Sequence, residues 1–261
     1  MYSKIKRSLR EAALSTGIGY SLYLKKKGWG RSAYDQRQFP GPNTTLKSSD
    51  EWQKCCIEVE KLRLPSHPSP QKNWDSLISL GEIINHVSSP KAKILDAGAT
   101  MDSVILPWLY IYGYRNLTGL NLSFNRTIFR GSICYEHGDM TNTRFKDNFF
   151  DAVSCLSVVE HGVNLTMFFR EMNRIIKPGG ILVLSTDYWP SPIETGHIRA
   201  FDTDFKVFNK KTLEEMFKIA ATNGFSLHGE TDTNCKDKAV AWDEHNIEYT
   251  FFCCTLIKEI S

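Results

Sequence analysis

Residues 93–108 have the sequence KILDAGATMDSVILPW, on which the fold prediction rests. An apolar run ends in Asp96 and Gly98, as a buried strand does where it enters a ligand-binding turn. Nucleotide-binding turns usually carry further glycines, but this chain has Ala99 and Thr100 there. Any residue other than glycine restricts positive φ, so we predict a turn whose path differs from that of a dinucleotide-binding loop.

Length and charge indicate an ordinary globular protein. The chain has 261 residues, 41% hydrophobic and 23% charged, with a formal net charge of +3. This length fits one α/β domain with an extension, and the small charge gives no reason to expect a nucleic-acid partner. Because no run of about 18 apolar residues occurs and residues 1–24 do not resemble a signal peptide, we expect no transmembrane segment and a cytoplasmic location.

The seven cysteines do not form a recognisable disulfide or metal pattern. Two vicinal pairs, Cys55–Cys56 and Cys253–Cys254, are present, without C-x-x-C or Cys/His spacing. We therefore interpret most of them as small buried hydrophobes of a reducing compartment, and we predict no metal site.

Residues 1–70 differ from the rest and are predicted to be a helical, partly irregular extension. Turn-rich stretches, QFPGPNTT and LPSHPSPQ, interrupt them. A helix is predicted for residues 49–64, capped by Ser49 or Asp50. The basic first segment could rest on the domain or make a weak peripheral contact with a membrane, and packing on the domain is favoured.

From residue 71 to residue 261, apolar strands alternate with amphipathic helices. This alternation predicts an α/β fold with a mostly parallel sheet covered by helices on both faces. The last two strands, in FSLHGE and EYTFFCCTLIKEI, have no helical pattern between them and should pair antiparallel. We expect seven strands, with the antiparallel last strand, residues 248–258, beside the fifth.

Five blocks in this order carry a resemblance to a known family. They are ILDAG, LTGLNLS, HGDMTNTRFKDNFFDAVSCLSVVEHG, REMNRIIKPGGILVLSTDYWP and the closing hairpin. Together they resemble class I S-adenosylmethionine-dependent methyltransferases, and most closely the small methyltransferases encoded among bacterial surface-glycan and sugar-modification genes. The resemblance implies a Rossmann-like methyltransferase domain over residues 71–261, S-adenosyl-L-methionine as cofactor, and a small-molecule or glycan acceptor.

The resemblance also assigns cofactor-binding positions. The turn after the first strand would wrap the methionine part, with Asp96 orienting the loop or meeting the ammonium group, and Asp139 would face the adenine amino group. For ILDAG and Asp139, an ordinary buried strand and an ordinary turn are the plainer alternatives. The full predicted set is Asp96, Gly98, Ala99, Thr100, Asn121, Leu122, Asp139, Met140 and Ser157.

Asn121 is a second departure from the family pattern. Cofactor-binding α/β folds usually place an acidic residue there for the ribose hydroxyls, and an asparagine lacks the charge that strengthens such a contact. The glycine-poor turn disfavours NAD more than S-adenosylmethionine, which carries no pyrophosphate. Both departures leave a degenerate, non-catalytic methyltransferase-like partner protein as the alternative to an enzyme.

Candidate acceptor-site residues follow the next two strands. His161, which follows Glu160, could take a hydroxyl proton because the ordinary histidine pKa is near neutrality, although both residues could instead hold the loop. Aromatic side chains beside carboxylates suit a sugar ring, although they could also pack the long loop after the fifth strand onto the domain. The predicted catalytic residues are His161 and Asp187, and the predicted substrate-binding residues are Tyr188, Trp189 and His197.

These features favour methyl transfer to a hydroxyl of a sugar or glycan intermediate. The sulfonium already activates the methyl group, so the enzyme mainly aligns the acceptor and excludes water, and a metal is not required. Methylation of a small natural product or of a nitrogen atom would use the same scaffold. Nicotinamide oxidoreduction is disfavoured by the turn and by the final hairpin.

Overall fold

A mixed β-sheet forms the centre of the fold. The computed structural model describes residues 9–30, 41–196, 198–200 and 203–260. The strands in these residues are β1 (Thr44–Thr45), β2 (Lys93–Ala97), β3 (Asn116–Asn121), β4 (Ile128–Arg130), β5 (Ile133–His137), β6 (Phe150–Leu156), β7 (Ile176–Tyr188), β8 (Arg199–Ala200), β9 (Thr203–Asp204), β10 (Phe225–Leu227), β11 (Val240–Trp242) and β12 (Ile247–Lys258).

The strand order confirms the predicted topology. The main path is β1-β12-β7-β6-β2-β3-β5-β4, and β10 and β11 also pair with β12. Strands β5, β3, β2, β6 and β7 are parallel neighbours, whereas β12 runs antiparallel to β7. The seven predicted strands are therefore present, with the last one beside the fifth. Three antiparallel strands that we did not predict, β1, β4 and β11, extend the sheet, and β8 and β9 form a separate ribbon.

Helices cover both faces of the sheet, as predicted. They are α1 (Gly17–Lys26), α2 (Ser49–Lys61), α3 (Lys72–His86), α4 (Ile105–Ile111), α5 (Leu165–Ile175) and α6 (Lys210–Thr222). One apolar cluster packs helices α1, α2, α3 and α4 against one face of the sheet. A second cluster packs α5 and α6 against the other face. Along β7, Val183 belongs to the first cluster and Leu184 to the second, because successive side chains of a strand point to opposite faces.

The described part of the N-terminal extension packs on the domain. The Tyr20 and Tyr110 rings lie 5.0 Å apart, and the Ser21 hydroxyl lies 3.1 Å from the Tyr110 hydroxyl. An ion pair of 2.7 Å joins Arg130 to Glu11. These contacts favour the domain surface over a membrane as the resting place of this segment. No helix within the described ranges is long and apolar enough to cross a membrane.

Helix α2 differs slightly from its prediction. It ends at Lys61, and its N-cap is Ser48, not Ser49 or Asp50. The Ser48 side chain makes no capping bond, whereas the Glu51 carboxylate accepts the backbone N–H of Lys47 at 2.7 Å. Glu51 thus fixes the residue that precedes the helix, and the predicted side-chain cap of the first-turn N–H groups is absent.

The placement of β12 in the core predicts a large effect of truncating Phe252. This ring is fully buried between β7 and α6, with the Tyr188 and Phe217 rings 6.0 and 5.9 Å away. We expect Phe252→Ala to lower the free energy of unfolding by about 3–5 kcal/mol, measured by urea denaturation. Phe129→Ala removes the same side chain from an exposed position on β4 and should change it by less than about 0.5 kcal/mol. Equal losses would contradict the position of the last strand.

Candidate active site

Asp96 lies buried at the carboxyl end of β2, where open α/β sheets bind their ligands. The residue is 3% exposed, and the Ser154 hydroxyl donates to its Oδ1 at 2.9 Å. Burial raises the pKa of Asp96 to about 7, with the charge of Asp75 adding to the rise and the Ser154 hydrogen bond opposing it. Of the two predicted roles, this position favours orienting the loop over direct contact with an ammonium group.

Gly98 is the residue on which the shape of the turn depends. Its φ of +92° lies in the region that glycine tolerates, and an added Cβ would lie 2.4 Å from the Val158 Cγ2. Its N–H donates to the Leu120 carbonyl at 2.8 Å. The turn therefore lies between the carboxyl end of β3 and the loop after β6. Any residue other than glycine at position 98 would require the Val158 side chain or the backbone to move.

Small side chains replace the missing glycines in the rest of the turn. Ala99 is buried against β3, where Gly119 leaves room, because a Cβ there would approach the Ala99 Cβ to 2.9 Å. The Thr100 N–H donates to the Ser103 hydroxyl at 2.9 Å. Helix α4 begins only after this loop and contains Pro107 in its first turn, where a proline is tolerated.

Asn121 holds the turn in place. Its Nδ2 donates to the Gly98 carbonyl at 3.0 Å, and its Oδ1 accepts the Ser123 N–H at 2.8 Å. A carboxylate could not donate to Gly98, so the asparagine is complementary to this turn. An amide has two N–H groups and two lone pairs, which leaves one of each for a ribose hydroxyl.

The other predicted cofactor residues lie farther along the same edge. Leu122 is exposed, and Met140 packs partly against the second apolar cluster. The Asp139 Oδ1 accepts both the N–H and the hydroxyl of Thr141, at 2.8 and 2.7 Å, which makes an Asx turn. The other carboxylate oxygen, Oδ2, makes neither of these bonds. It is the atom that would accept a hydrogen bond from an adenine amino group.

Helix α3 brings two charged residues to this edge that the sequence analysis missed. Asp75 is fully buried, and its Oδ2 accepts the Ser185 hydroxyl at 2.6 Å. The Ser185 hydroxyl in turn accepts the N–H of Ser157 at 3.0 Å, where φ is +53°. Lys72, one turn earlier, lies with its Nζ 4.3 Å from the Phe251 ring. The signal for Asp75 was a row of polar residues at helical spacing along this helix: Asp75, Ser79, Glu82 and His86.

Two buried carboxyl groups lie at this edge, that of Glu160 in the loop after β6 and that of Asp187 at the end of β7. Burial raises the pKa of Asp187 to about 6, while Lys72 and a hydrogen bond from the Tyr249 hydroxyl oppose the rise and Asp75 adds to it. Burial and the nearby charge of Asp187 raise the pKa of Glu160 well above its ordinary value. Two carboxyl groups in one buried site favour a single negative charge. Because the pKa of Glu160 is raised further than that of Asp187, the charge lies on Asp187.

Asp187 Oδ1 is a buried acceptor at the carboxyl end of β7. It has no hydrogen-bond partner among the described residues. A buried acceptor without a partner is unfavourable by about 1–3 kcal/mol, so a donor from a bound molecule would be stabilised there.

The structure corrects the expected proton affinity of His161. Burial, with the positive charge of Lys72, lowers its pKa to about 4, whereas the prediction took the ordinary value near neutrality. The imidazole lies against the Phe205 ring, 5.6 Å between centroids. Asp187 is therefore closer in pKa to a base that acts near neutral pH.

Two of the three predicted substrate-binding residues lie in the described ranges, and one is wrongly placed for that role. Tyr188 is fully buried on the opposite face from Asp187, with its hydroxyl donating to the Thr233 carbonyl at 3.4 Å, because strand residues alternate. Trp189 is half-buried, with the Lys238 Nζ 5.4 Å from its ring. The exposed part of its side chain could still contact a substrate, so its predicted role stays a prediction. His197 lies outside the described residues.

A cavity of about 350 Å³ lies beside the turn after β2. The N-terminal extension closes one side of it with aromatic side chains, and the turn itself contributes the other side. Representative lining residues are Tyr20, Tyr23, Trp29, Met101, Arg130 and Tyr135. The cavity is not lined by His161 or Asp187, so it offers space near the predicted methionine turn and not at the carboxyl pair.

Comparison with known proteins agrees with this geometry. Residues 95–184 match the family model described as a methyltransferase domain. The fold is that of class I S-adenosylmethionine-dependent methyltransferases. Among solved structures, the [4+2]-cyclase SpnF covers 85% of this chain and 99% of its own, with a TM-score of 0.54 and 15% identity. The YcgJ protein of Bacillus subtilis covers 70% of this chain and 99% of its own, with a TM-score of 0.51 and 14% identity.

Curated relatives share the methyltransferase region. A demethylmenaquinone methyltransferase of Staphylococcus haemolyticus is 35% identical over 100 residues, which are 35% of this chain and 42% of that protein. The sterol 24-C-methyltransferase erg-4 of Neurospora crassa is 26% identical over 118 residues, 43% of this chain and 31% of its own. The chain thus spans less than half the length of these two relatives. The cofactor to which the methyltransferase fold and the family match point is S-adenosylmethionine.

The raised pKa of Asp96 predicts a pH dependence of stability. Between about pH 4 and pH 7 the folded protein keeps a proton on Asp96 that the unfolded chain releases. The contribution of Asp96 to the free energy of unfolding is therefore largest at the acidic end of that window. It falls as the pH rises, by up to about 1.4 kcal/mol per pH unit. Asp96→Asn should flatten this fall in urea denaturation at several pH values, whereas Asp102→Asn, an exposed change in the same loop, should follow the wild type. Parallel curves for wild type and Asp96→Asn would contradict the buried protonated carboxyl.

Proposed function

We propose that the chain transfers the methyl group of S-adenosylmethionine to a hydroxyl group of a sugar or glycan intermediate. The observation that carries methyl transfer is the family match over residues 95–184 together with the turn at its start. Asp96 is buried there with Gly98 at positive φ, so the turn is rigid and lies at the ligand-binding edge of the sheet. A rigid turn suits a cofactor whose reactive methyl group must be aligned with the acceptor.

Asp187 would act as the base for the acceptor hydroxyl. The hydroxyl would donate to Oδ1, which has no other partner in the described part of the chain. S-adenosylmethionine would supply the methyl group to the acceptor oxygen with loss of its carbon–sulfur bond and release of S-adenosylhomocysteine, and the Asp187 carboxylate would take up the hydroxyl proton. Glu160, kept neutral by burial and by its neighbour, favours the single charge on Asp187.

The carboxyl pair supports a hydroxyl acceptor, and Trp189 supports a sugar among hydroxyl acceptors. An indole at the rim of a carboxylate site can stack on the apolar face of a sugar ring. The names of the relatives select no acceptor, since they refer to a sterol and to demethylmenaquinone, and SpnF is named a cyclase. The acceptor class therefore rests on these side chains. The direct test is S-adenosylhomocysteine formation with a panel of free sugars, nucleotide-linked sugars, phenols and amines, in which turnover with amines or phenols alone would overturn the sugar assignment.

Removal of the Asp96 carboxylate tests the cofactor site. We expect Asp96→Ala to weaken S-adenosylhomocysteine binding by at least about 1 kcal/mol in calorimetry, because the turn loses its buried hydrogen-bonding group. Asp50→Ala removes an exposed carboxylate on α2 and should leave the affinity unchanged. Circular dichroism checks that both variants are folded. Equal affinities for wild type and a folded Asp96→Ala would remove Asp96 from the cofactor site.

Replacement of Asp187 tests the base. Asp187→Asn should lower kcat by about 10² to 10⁴-fold and leave S-adenosylhomocysteine affinity nearly unchanged, since a general base contributes about that factor. His161→Ala should have a smaller effect, because its low pKa makes it a weak base near neutrality. Full turnover of Asp187→Asn would leave alignment alone as the mechanism.

Tyr249→Phe separates a base from a merely structural carboxylate. The Tyr249 hydroxyl stabilises the charged form of Asp187, so its loss should raise the pKa of that carboxyl. The rising limb of kcat against pH should then move to higher pH, with kcat recovered above it. Tyr114→Phe removes a hydroxyl that donates to the Val87 carbonyl at the other end of α3 and should not move the limb. An unmoved limb in Tyr249→Phe would exclude Asp187 as the titrating group.

A non-catalytic methyltransferase-like partner remains the second candidate. The observation that favours it is that the amide of Asn121 is already bonded to Gly98 and Ser123, where the family usually has an acid free for the ribose. Calorimetry with S-adenosylmethionine and S-adenosylhomocysteine discriminates the two functions, because a degenerate site would give no binding heat with either compound.

A further inference from the structure

The row of polar residues along α3 continues beyond the candidate active site to a second group of side chains. Asp75 lies at the active-site end, while Glu82 and His86 lie two and three turns farther along the helix. At about 1.5 Å per residue, Glu82 is roughly 10 Å from Asp75 along the axis. The carboxyl pair and the predicted cofactor turn therefore do not involve this second group.

Glu82 and His86 meet His228, which follows β10. One potential ligand atom from each of the three residues lies within 4.8 Å of the other two. The His86 and His228 rings are perpendicular, with centroids 4.6 Å apart. Two imidazoles and one carboxylate are a donor set that zinc accepts in proteins.

The hydrogen bond of His86 fixes which of its nitrogens can bind a metal. The Nδ1 lies 3.2 Å from the Glu82 carbonyl oxygen, which can only accept, so Nδ1 carries the proton. The Nε2 of the neutral ring is then a lone-pair donor. Metal-binding histidines are commonly oriented by such a bond from the other ring nitrogen to a backbone carbonyl.

The backbone at His228 is held as firmly as the helix. Asn43 is fully buried, and its Nδ2 donates to the carbonyls of His228 and Gly229 at 2.8 and 3.3 Å. The His228 N–H donates to the Thr255 carbonyl at 2.9 Å. The third side chain therefore starts from a fixed position beside β12 and needs only a change of rotamer to move.

We propose that Glu82, His86 and His228 bind a Zn²⁺ ion that ties the end of α3 to the β10–β12 hairpin. Ligand atoms of a tetrahedral zinc ion with bonds of about 2.0–2.1 Å are roughly 3.3 Å apart, so small side-chain movements close the site around the ion. A water molecule supplies the fourth ligand. Because the ion lies at the opposite end of α3 from Asp75, it stabilises the position of the helix and takes no part in methyl transfer.

Zinc titration of the full chain, freed of metal with a chelator, tests the site. We expect one Zn²⁺ ion per chain in calorimetry and a higher melting temperature when zinc is present, because a ligand bound only by the folded state stabilises it. Glu82→Gln, His86→Ala and His228→Ala should each weaken zinc binding at least about tenfold. His137→Ala is the matched control, since the exposed His137 also has Nδ1 near a backbone carbonyl, that of Leu122 at 3.0 Å, but is not in the cluster.

Two further measurements keep the proposal falsifiable. Melting in the absence of metal identifies a variant that fails to fold, and His228→Gln then replaces His228→Ala with a side chain of similar size. Co²⁺ in place of Zn²⁺ shows intense charge-transfer absorption if cysteine thiolates are the ligands. No saturable binding, wild-type affinity in folded variants at both His86 and His228, or a thiolate spectrum would each overturn the site.

Discussion

The buried carboxylate of Asp75 is the constraint on which the candidate active site depends. An ion with no exposure is strongly destabilised unless hydrogen bonds satisfy it, and the Ser185 hydroxyl at 2.6 Å does so from the end of β7. Ser185 also accepts the N–H of Ser157 at the end of β6. One carboxylate thus fixes α3 against two strand ends, and this contact sets where Lys72, one turn away, places its charge.

The charges of α3 then govern the carboxyl groups around it. Asp75 raises the pKa of both Asp96 and Asp187, while Lys72 lowers those of Asp187 and Glu160 and also depresses that of His161. The helix therefore does more than cover the sheet. It distributes one negative charge within a buried pair and keeps the nearby imidazole neutral, which is the arrangement a hydroxyl acceptor needs if Asp187 is the base.

Periodicity predicted the parts of the structure that depend on burial alone. The alternation of apolar strands and helices gave the seven main strands, and the missing helix before the last strand gave the antiparallel β12. The side of the sheet reached by Tyr188 was also available from alternation, since Asp187 and Tyr188 are adjacent in one strand and cannot share a face. The sequence interpretation placed Asp187, Tyr188 and Trp189 together on the acceptor side, although the alternation of a strand separates Tyr188 from its two neighbours.

Tertiary contacts decided what periodicity could not predict. The proton affinity of His161 depends on burial and on Lys72, a residue 89 positions earlier in the chain. Asn121 looked like a weakened ribose ligand, yet its amide donates to the carbonyl of Gly98, which an acid could not do. The asparagine therefore supplies a donor to the carbonyl of the glycine-poor turn that an acid in its place would not supply. The two departures thus meet in one contact, because the residue that stands in place of the ribose acid is the one that holds the turn, and its amide still has one N–H and one lone pair for a ribose hydroxyl.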